Sequence, residues 1–113
     1  AEDEPVNREV ARALLEDVGL KVDVAVDGVE AVDMAALTPY AIILMDMQMP
    51  RMDGLEATQR IRALPGGAAV PIIAMTANAF ADDRSRCLDV GMNDFIAKPV
   101  LPAVLYEKML NWL

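Results

Sequence analysis

The sequence predicts an α/β fold built on a parallel sheet, and three observations carry that prediction. Segments with helical periodicity alternate with short strand-like runs along the whole chain. Two of the runs, "AIILM" at 41–45 and "VPIIAM" at 70–75, are almost wholly apolar, as strands buried on both faces are. Residues of chemical use gather immediately after the runs, at the edge where open parallel sheets bind ligands. With 113 residues, 55% of them hydrophobic, the chain is read as one domain over 1–113.

The elements follow in order. Val6, Val10, Leu14 and Val18 recur every four residues between Pro5 and Gly19, which predicts a first helix with a favourable start and a glycine stop. Val22, Val24 and Val26 alternate with Lys21, Asp23 and Ala25, a strand with one face in water. Asp27 can cap a second helix that turns Val29, Val32 and Ala36 inward. The run 41–45 is a central strand, and a third helix with Leu55, Thr58 and Ile61 on one side follows Gly54. Pro65, Gly66 and Gly67 form a turn before the strand at 70–75. Asp82 and Asp83 suit the positive end of a fourth helix that stops at Gly91. "DFIA" at 94–97 is a last strand, and Pro102 opens a final helix with Leu105, Met109 and Trp112 facing in. Five helices then accompany only four strands. The polar stretch before the first helix cannot be the missing one, so an apolar run of about five or six residues is expected immediately upstream of Ala1.

Composition excludes several functions. A net charge of −8 opposes binding to nucleic acid, whose phosphates require a basic face. No apolar run is long enough to span a bilayer, and no direct membrane contact is expected. The single Cys87 cannot form an internal disulfide, and no signal segment opens the chain, so a cytoplasmic setting is expected. The absence of histidine removes the usual general base and the triads that depend on it. Chemistry here falls to carboxylates, hydroxyls and lysine.

Those groups converge. Glu2 and Asp3 precede the first helix, Asp46 ends one strand, Thr76 ends the next, and Lys98 follows the last. Singly each has a plain reading: a helix cap, a turn hydroxyl, a surface charge. Together they describe a magnesium-dependent phosphoryl-transfer site whose acceptor is the protein itself. Crowded carboxylates favour a hard divalent cation, Mg²⁺ or Mn²⁺, and a carboxylate such as Asp46 can attack phosphorus. Lys98 and the metal would neutralise the equatorial oxygens, with Thr76 donating a hydrogen bond to one of them.

The stretches "EDEPVNREV" (2–10), "LMDMQMPRMDGLEATQRIR" (44–62), "PIIAMTANAF" (71–80) and "GMNDFIAKP" (91–99) resemble the receiver domain of two-component response regulators, and most closely those of hybrid sensor histidine kinases. The resemblance covers essentially the whole chain. It implies a flavodoxin-like (βα)₅ fold of strand order 2-1-3-4-5, with its first strand preceding Ala1. It puts the phosphoacceptor on Asp46, the acidic metal pair on Glu2 and Asp3, the metal-binding carbonyl on Gln48, the switch hydroxyl on Thr76, the lysine on Lys98 and the switch aromatic on Phe95. Gln48 and Asn78 match the positions that tune dephosphorylation, and the Lys98–Pro99 bond is often cis in the family. Phe95 stands where tyrosine is frequent, and Leu101 where a polar cap is common before Pro102.

The function implied is a phosphoacceptor module of a phosphorelay, which promotes its own phosphorylation and dephosphorylation and changes conformation to control a partner. Its implied partners are a histidine kinase domain, a histidine phosphotransfer domain, or both; self-association stays open, as does residence in the cytoplasmic part of a membrane-bound kinase. An alternative is a phosphorylation-independent docking module of the same fold, against which the complete set Asp46, Thr76 and Lys98 argues. A phosphatase working through an aspartyl phosphate would need a second aspartate where Gln48 stands. The methionines of "MQMPRM" are read as packing rather than as a copper site, and "DMQMPRMDG" lacks the oxygen spacing of a calcium loop.

Overall fold

A computed structural model of the chain describes residues 1–47, 49, 51–65, 67, 69–76, 81–98 and 100–112, with the side chains of 81–84 left out of the description. Five helices and three strands are present among them: α1 (Pro5–Asp17), α2 (Gly28–Leu37), β1 (Ile43–Asp46), α3 (Gly54–Arg62), β2 (Ile72–Thr76), α4 (Ala81–Asp89), β3 (Asp94–Ala97) and α5 (Pro102–Trp112). The strands form a parallel sheet of order β1-β2-β3, the 3-4-5 half of the expected order. Ile43 pairs with Ile72 and Asp46 with Met75, while Ile73 pairs with Asp94 and Thr76 with Ala97.

Helices cover both faces. Met45, Ile72 and Ala74 pack with Ala31 of α2, Ala57 and Ile61 of α3 and Cys87 of α4. Ile73 and Ile96 pack on the opposite face with Leu15 of α1 and Leu105 and Met109 of α5. All five residues of β2 are buried, as a central strand of a doubly covered sheet must be. Burying side chains of this size contributes about 1.5–3 kcal/mol each. The packing expected of the methionines holds for Met47, a core residue like Met45 of β1. An unanticipated contact joins Met47 to α4: the Cys87 thiol lies 3.3 Å from the Met47 thioether.

Local signals set most boundaries. Asp27 caps α2 by accepting from Glu30 N at 2.9 Å, and Asp53 caps α3 through Glu56 N at 2.9 Å. Glu4, rather than Glu2 or Asp3, caps α1 through Asn7 N at 2.7 Å. Gly19 and Gly91 follow α1 and α4 at φ of 86° and 100°, left-handed conformations that glycine adopts without strain. Asp82 and Asp83 fall at the start of α4. Trp112 is half-buried rather than a full core residue.

Three expectations are corrected. Val6, Val10 and Val18 are exposed on α1, and the inward residues are Ala11, Leu14 and Leu15. A four-residue step advances a helix by about 400°, so the valine row drifts around the axis instead of following the core. On α2, Ala36 is exposed while Gly28 and Ala31 are buried. The strand at 22–26 is not formed: residues 21–25 carry no ladder, and Ala25 rather than Val26 is buried. A ladder needs a paired partner, and residues 21–25 have one rung, from Glu2 N to Ala25 O. Between 21–25 and β1 runs an open groove of about 200 Å³, lined by Leu15, Val22, Val24, Ala31, Ile42 and Leu44. Only its end is filled, where Ala1 N donates to Leu44 O, Asp46 N donates to Ala1 O and Glu2 N donates to Ala25 O.

Candidate functional site

The carboxyl ends of the strands bring the predicted groups together. Asp46 closes β1 with 3% of its surface exposed, placed there by four preceding apolar residues that fill the sheet. Its N–H donates to Ala1 O at 3.0 Å, which ties β1 to the segment carrying Glu2 and Asp3. Glu2 is buried and held by its N–H to Ala25 O, while Asp3 is exposed. Arg8 of α1 reaches back to donate to Glu2 O at 3.2 Å and to Asp3 O at 3.5 Å. Carboxylate oxygens of Glu2, Asp3 and Asp46 all lie within 4.8 Å of one another.

Lys98 closes the arrangement. Its N–H donates to Thr76 O at 2.7 Å, extending the β2–β3 ladder by one residue and aiming the side chain across the sheet edge. Lys98 Nζ donates to Asp46 Oδ2 at 2.8 Å and lies 3.0 Å from Glu2 Oε2. Burial draws the ammonium pKa down, but the Asp46 and Glu2 carboxylates outweigh it and hold Lys98 above its usual value. Glu2 moves the other way from a normal carboxyl. Burial first, then the nearby Asp46 carboxylate, raise its pKa, and Lys98 only partly compensates.

Thr76 ends β2 one residue beyond Met75, the pairing partner of Asp46, and is buried. Phe95 lies on β3 beside Ala74, half-buried against the core, with Lys108 Nζ 5.8 Å from its ring centroid. Gln48, Asn78 and Pro99, the remaining predicted positions, lie outside the described residues.

Sequence reasoning missed two contributors. Arg8 had no signal beyond its place one turn into α1. Arg51 pairs with the buried Asp27, donating from Nε at 2.8 Å, across 24 positions of sequence. The chemical capacity of the site follows from its donors. Three clustered carboxylates offset by one ammonium form a hard, oxygen-rich, net negative set that fits a small divalent cation. Asp46 presents an ionisable oxygen beside the cation that would stabilise charge transferred to it.

The response regulator receiver domain model matches residues 1–110. The histidine-protein kinase BarA of Escherichia coli K12 is 40% identical over 111 residues, covering 98% of this chain and 12% of BarA. The chain thus spans a small fraction of the curated relatives it matches. The receiver domain of the sensor histidine kinase PA1611 from Pseudomonas aeruginosa, solved with a magnesium ion coordinated in its active-site cleft, superposes with a TM-score of 0.93 at 46% identity, over 99% of this chain and 92% of that one. The receiver domain of Ssk1, co-crystallised with the histidine phosphotransfer protein Ypd1 of Saccharomyces cerevisiae, gives 0.91 at 30% identity over 98% and 83%.

Proposed function

The chain belongs to the response regulator receiver domain family, and from that premise we propose that it accepts a phosphoryl group on Asp46 from a phosphohistidine of a partner. An Asp46 oxygen attacks phosphorus, the P–N bond to the donor breaks, and its electron pair stays on the donor imidazole. The observation that carries this reading is the Lys98 ammonium, set between the buried carboxylates of Asp46 and Glu2 at the sheet edge. On transfer Lys98 exchanges part of its pairing with Asp46 for the equatorial phosphoryl oxygens. Glu2, Asp3 and Asp46 are the residues that would hold Mg²⁺ or Mn²⁺, which supplies further neutralisation of those oxygens when bound. The magnesium in the PA1611 receiver supports this assignment. Gln48, through its carbonyl, belongs to the same proposed set, with Gln48 and Asn78 tuning hydrolysis.

Phosphorylation adds about −1.5 to −2 of charge at Asp46 and draws the Thr76 hydroxyl toward it. Phe95 then turns into the space released, and the surface shared by α4, β3 and α5 changes. Partners follow from the donor chemistry: a histidine kinase domain or a histidine phosphotransfer domain, as Ssk1 is found with Ypd1. Val6 and Val10, 67% and 46% exposed on α1, the helix that follows Glu2 and Asp3 in the chain, offer an apolar surface for such docking. No helix among the described residues is long and apolar enough to cross a membrane, and a cytoplasmic location is part of this proposal.

The test is intact-mass spectrometry after incubation with acetyl phosphate, with and without Mg²⁺, beside Asp46→Ala. One phosphoryl adduct that requires Mg²⁺ and disappears in the variant is expected. If neither acetyl phosphate nor a phosphorylated phosphotransfer domain yields an adduct, the chain is a docking module and the phosphoacceptor reading fails.

A further inference from the structure

We propose that Asp27 and Arg51 form a clasp that positions the loop after Asp46 and thereby sets the geometry of the carboxylate cluster. Neither residue touches the reacting atoms. The proposal rests on the reading of Glu2, Asp3 and Asp46 as metal ligands, and it adds a second layer of control behind them.

Both oxygens of the buried Asp27 are engaged. Oδ1 accepts from Glu30 N at the start of α2, and Oδ2 accepts from Nε and Nη2 of Arg51 at 2.8 and 2.5 Å. The Glu30 N–H first, then the Arg51 guanidinium, hold the carboxyl below its usual pKa against the effect of burial. Arg51 is the one non-glycine residue with positive φ among the described residues, at 65°. A residue with a Cβ stays there only when its surroundings hold it. Here the holding group is a buried charge that would otherwise stand unpaired.

Described residues at both ends of the loop are held by further contacts. A Cβ on Gly28 would stand 2.1 Å from Met52 O, so the loop backbone rests directly on the first residue of α2. A Cβ on Gly54 would stand 2.2 Å from Asp46 O, and Gly54 N donates to Met47 O at 3.1 Å, closing the loop against the acceptor itself. On the other side Asp27 lies two residues after Ala25, whose carbonyl holds Glu2 N. One short segment therefore fixes Glu2 and grips the loop that begins at Asp46. Releasing the grip removes no ligand, yet it frees the two sides of the cluster to separate.

The test is isothermal titration of the chain with Mg²⁺ alone, for wild type, Arg51→Ala, Arg51→Lys, Asp27→Asn and the double variant Asp27→Asn/Arg51→Ala, with Arg60→Ala as a control on the exposed face of α3. Asparagine also caps helices, so Asp27→Asn removes the ion pair and keeps the start of α2. The Kd for Mg²⁺ is expected to rise about 3- to 10-fold in Arg51→Ala and Asp27→Asn, below the roughly 10- to 100-fold typical of groups bonded directly to metal ligands, because the clasp acts at one remove. Arg51→Lys should recover part of the loss. The double variant should lose no more than the weaker-binding single one, since the pair acts as a unit. Phosphorylation by acetyl phosphate at saturating Mg²⁺ should stay within about twofold of wild type, a split that general unfolding does not produce. Single variants that bind Mg²⁺ as wild type does, with wild type phosphorylated normally, overturn the clasp alone; so do additive losses in the double variant. A wild type that neither binds Mg²⁺ nor takes a phosphoryl group overturns the receiver reading and the clasp with it. Circular dichroism separates these outcomes from misfolding, and Arg51→Lys carries the comparison if Arg51→Ala does not fold.

Discussion

Replacing Lys98 with methionine isolates what the ammonium contributes to the folded, metal-free chain. It stands 2.8 Å from Asp46 Oδ2 and 3.0 Å from Glu2 Oε2, with those carboxylate side chains only 4% and 5% exposed and Lys98 itself 20% exposed. At an effective dielectric of about 20, unit charges at these separations attract by roughly 6 and 5.5 kcal/mol. Desolvation and side-chain ordering offset most of that gross attraction, and breaking a buried pair costs about 3–5 kcal/mol. Because Lys98 keeps a fifth of its side chain in water, the lower end applies, about 3 kcal/mol, or ~12 °C in Tm for a chain of this length.

The pH dependence has a defined sign. The Lys98 pKa is raised, so its contribution is present below 10.5 and fades as pH climbs through the folded value. On the acid side it fades as the Glu2 carboxylate takes its proton. Glu2, raised above 4.5, does so earlier than an ordinary glutamate. Thermal melts followed by circular dichroism should show the full gap near neutral pH and a gap that closes as pH falls through the raised Glu2 value, above 4.5. Added Mg²⁺ should raise the Tm of Lys98→Met more than that of wild type, since the cation replaces the lost charge. A variant that melts within about 3 °C of wild type near neutral pH, or a gap that persists undiminished in acid, would refute the electrostatic account.

Three further perturbations test other parts of the structure. Asp94 accepts from Trp112 Nε1 and Lys108 Nζ, each at 3.0 Å; burial raises its pKa but these donors outweigh it, so the net shift is below 3.8. Asp94→Asn should cost about 1.5–3 kcal/mol near neutral pH, with the deficit shrinking as pH falls below 3.8 through the folded value, read from the fluorescence of the single tryptophan. Arg62 donates to the carbonyls of Gly67, Val70 and Gly91 and to Asn93 Oδ1, so Arg62→Met should cost about 2–4 kcal/mol in urea melts, with Arg62→Lys recovering only part. Gly54→Ala forces a methyl onto Asp46 O and should cut phosphoryl uptake by more than about tenfold, whereas Gly19→Ala, with open space but a φ of 86°, should cost only about 1 kcal/mol and leave uptake intact by mass spectrometry.

What was legible in the sequence is what local chemistry decides. Asp27, Pro5 and Pro102 start helices through their own side chains or rings, and Gly19 and Gly91 end them through their own backbones. Asp46, Thr76 and Lys98 were recognisable because the end of a buried strand is written in the apolar run before it, and parallel strands bring such ends to one edge. Strand formation at 22–26 was not legible on the same terms. Alternation specifies which faces a strand would show, but a ladder needs a neighbour, and Ala25 O finds one rung, from Glu2, where several would be needed.

The restraints behind the site share that dependence on distant residues. Arg51 and Asp27, Arg62 and Gly91, Cys87 and Met47 meet across 24, 29 and 40 positions, and no periodicity or cap signals any of them. An arginine in "MPRMDG" looks like a surface charge until its φ and its partner are seen together. The division has a consequence for mutation. On the proposed function, changes at strand-end residues should remove a chemical group and abolish a step, whereas changes at the long-range pairs leave every group present and should alter how tightly the set is held. Lys98 belongs to both classes, since it pairs Asp46 and Glu2 from 52 residues beyond Asp46, and its removal should therefore register in stability and in phosphoryl uptake together.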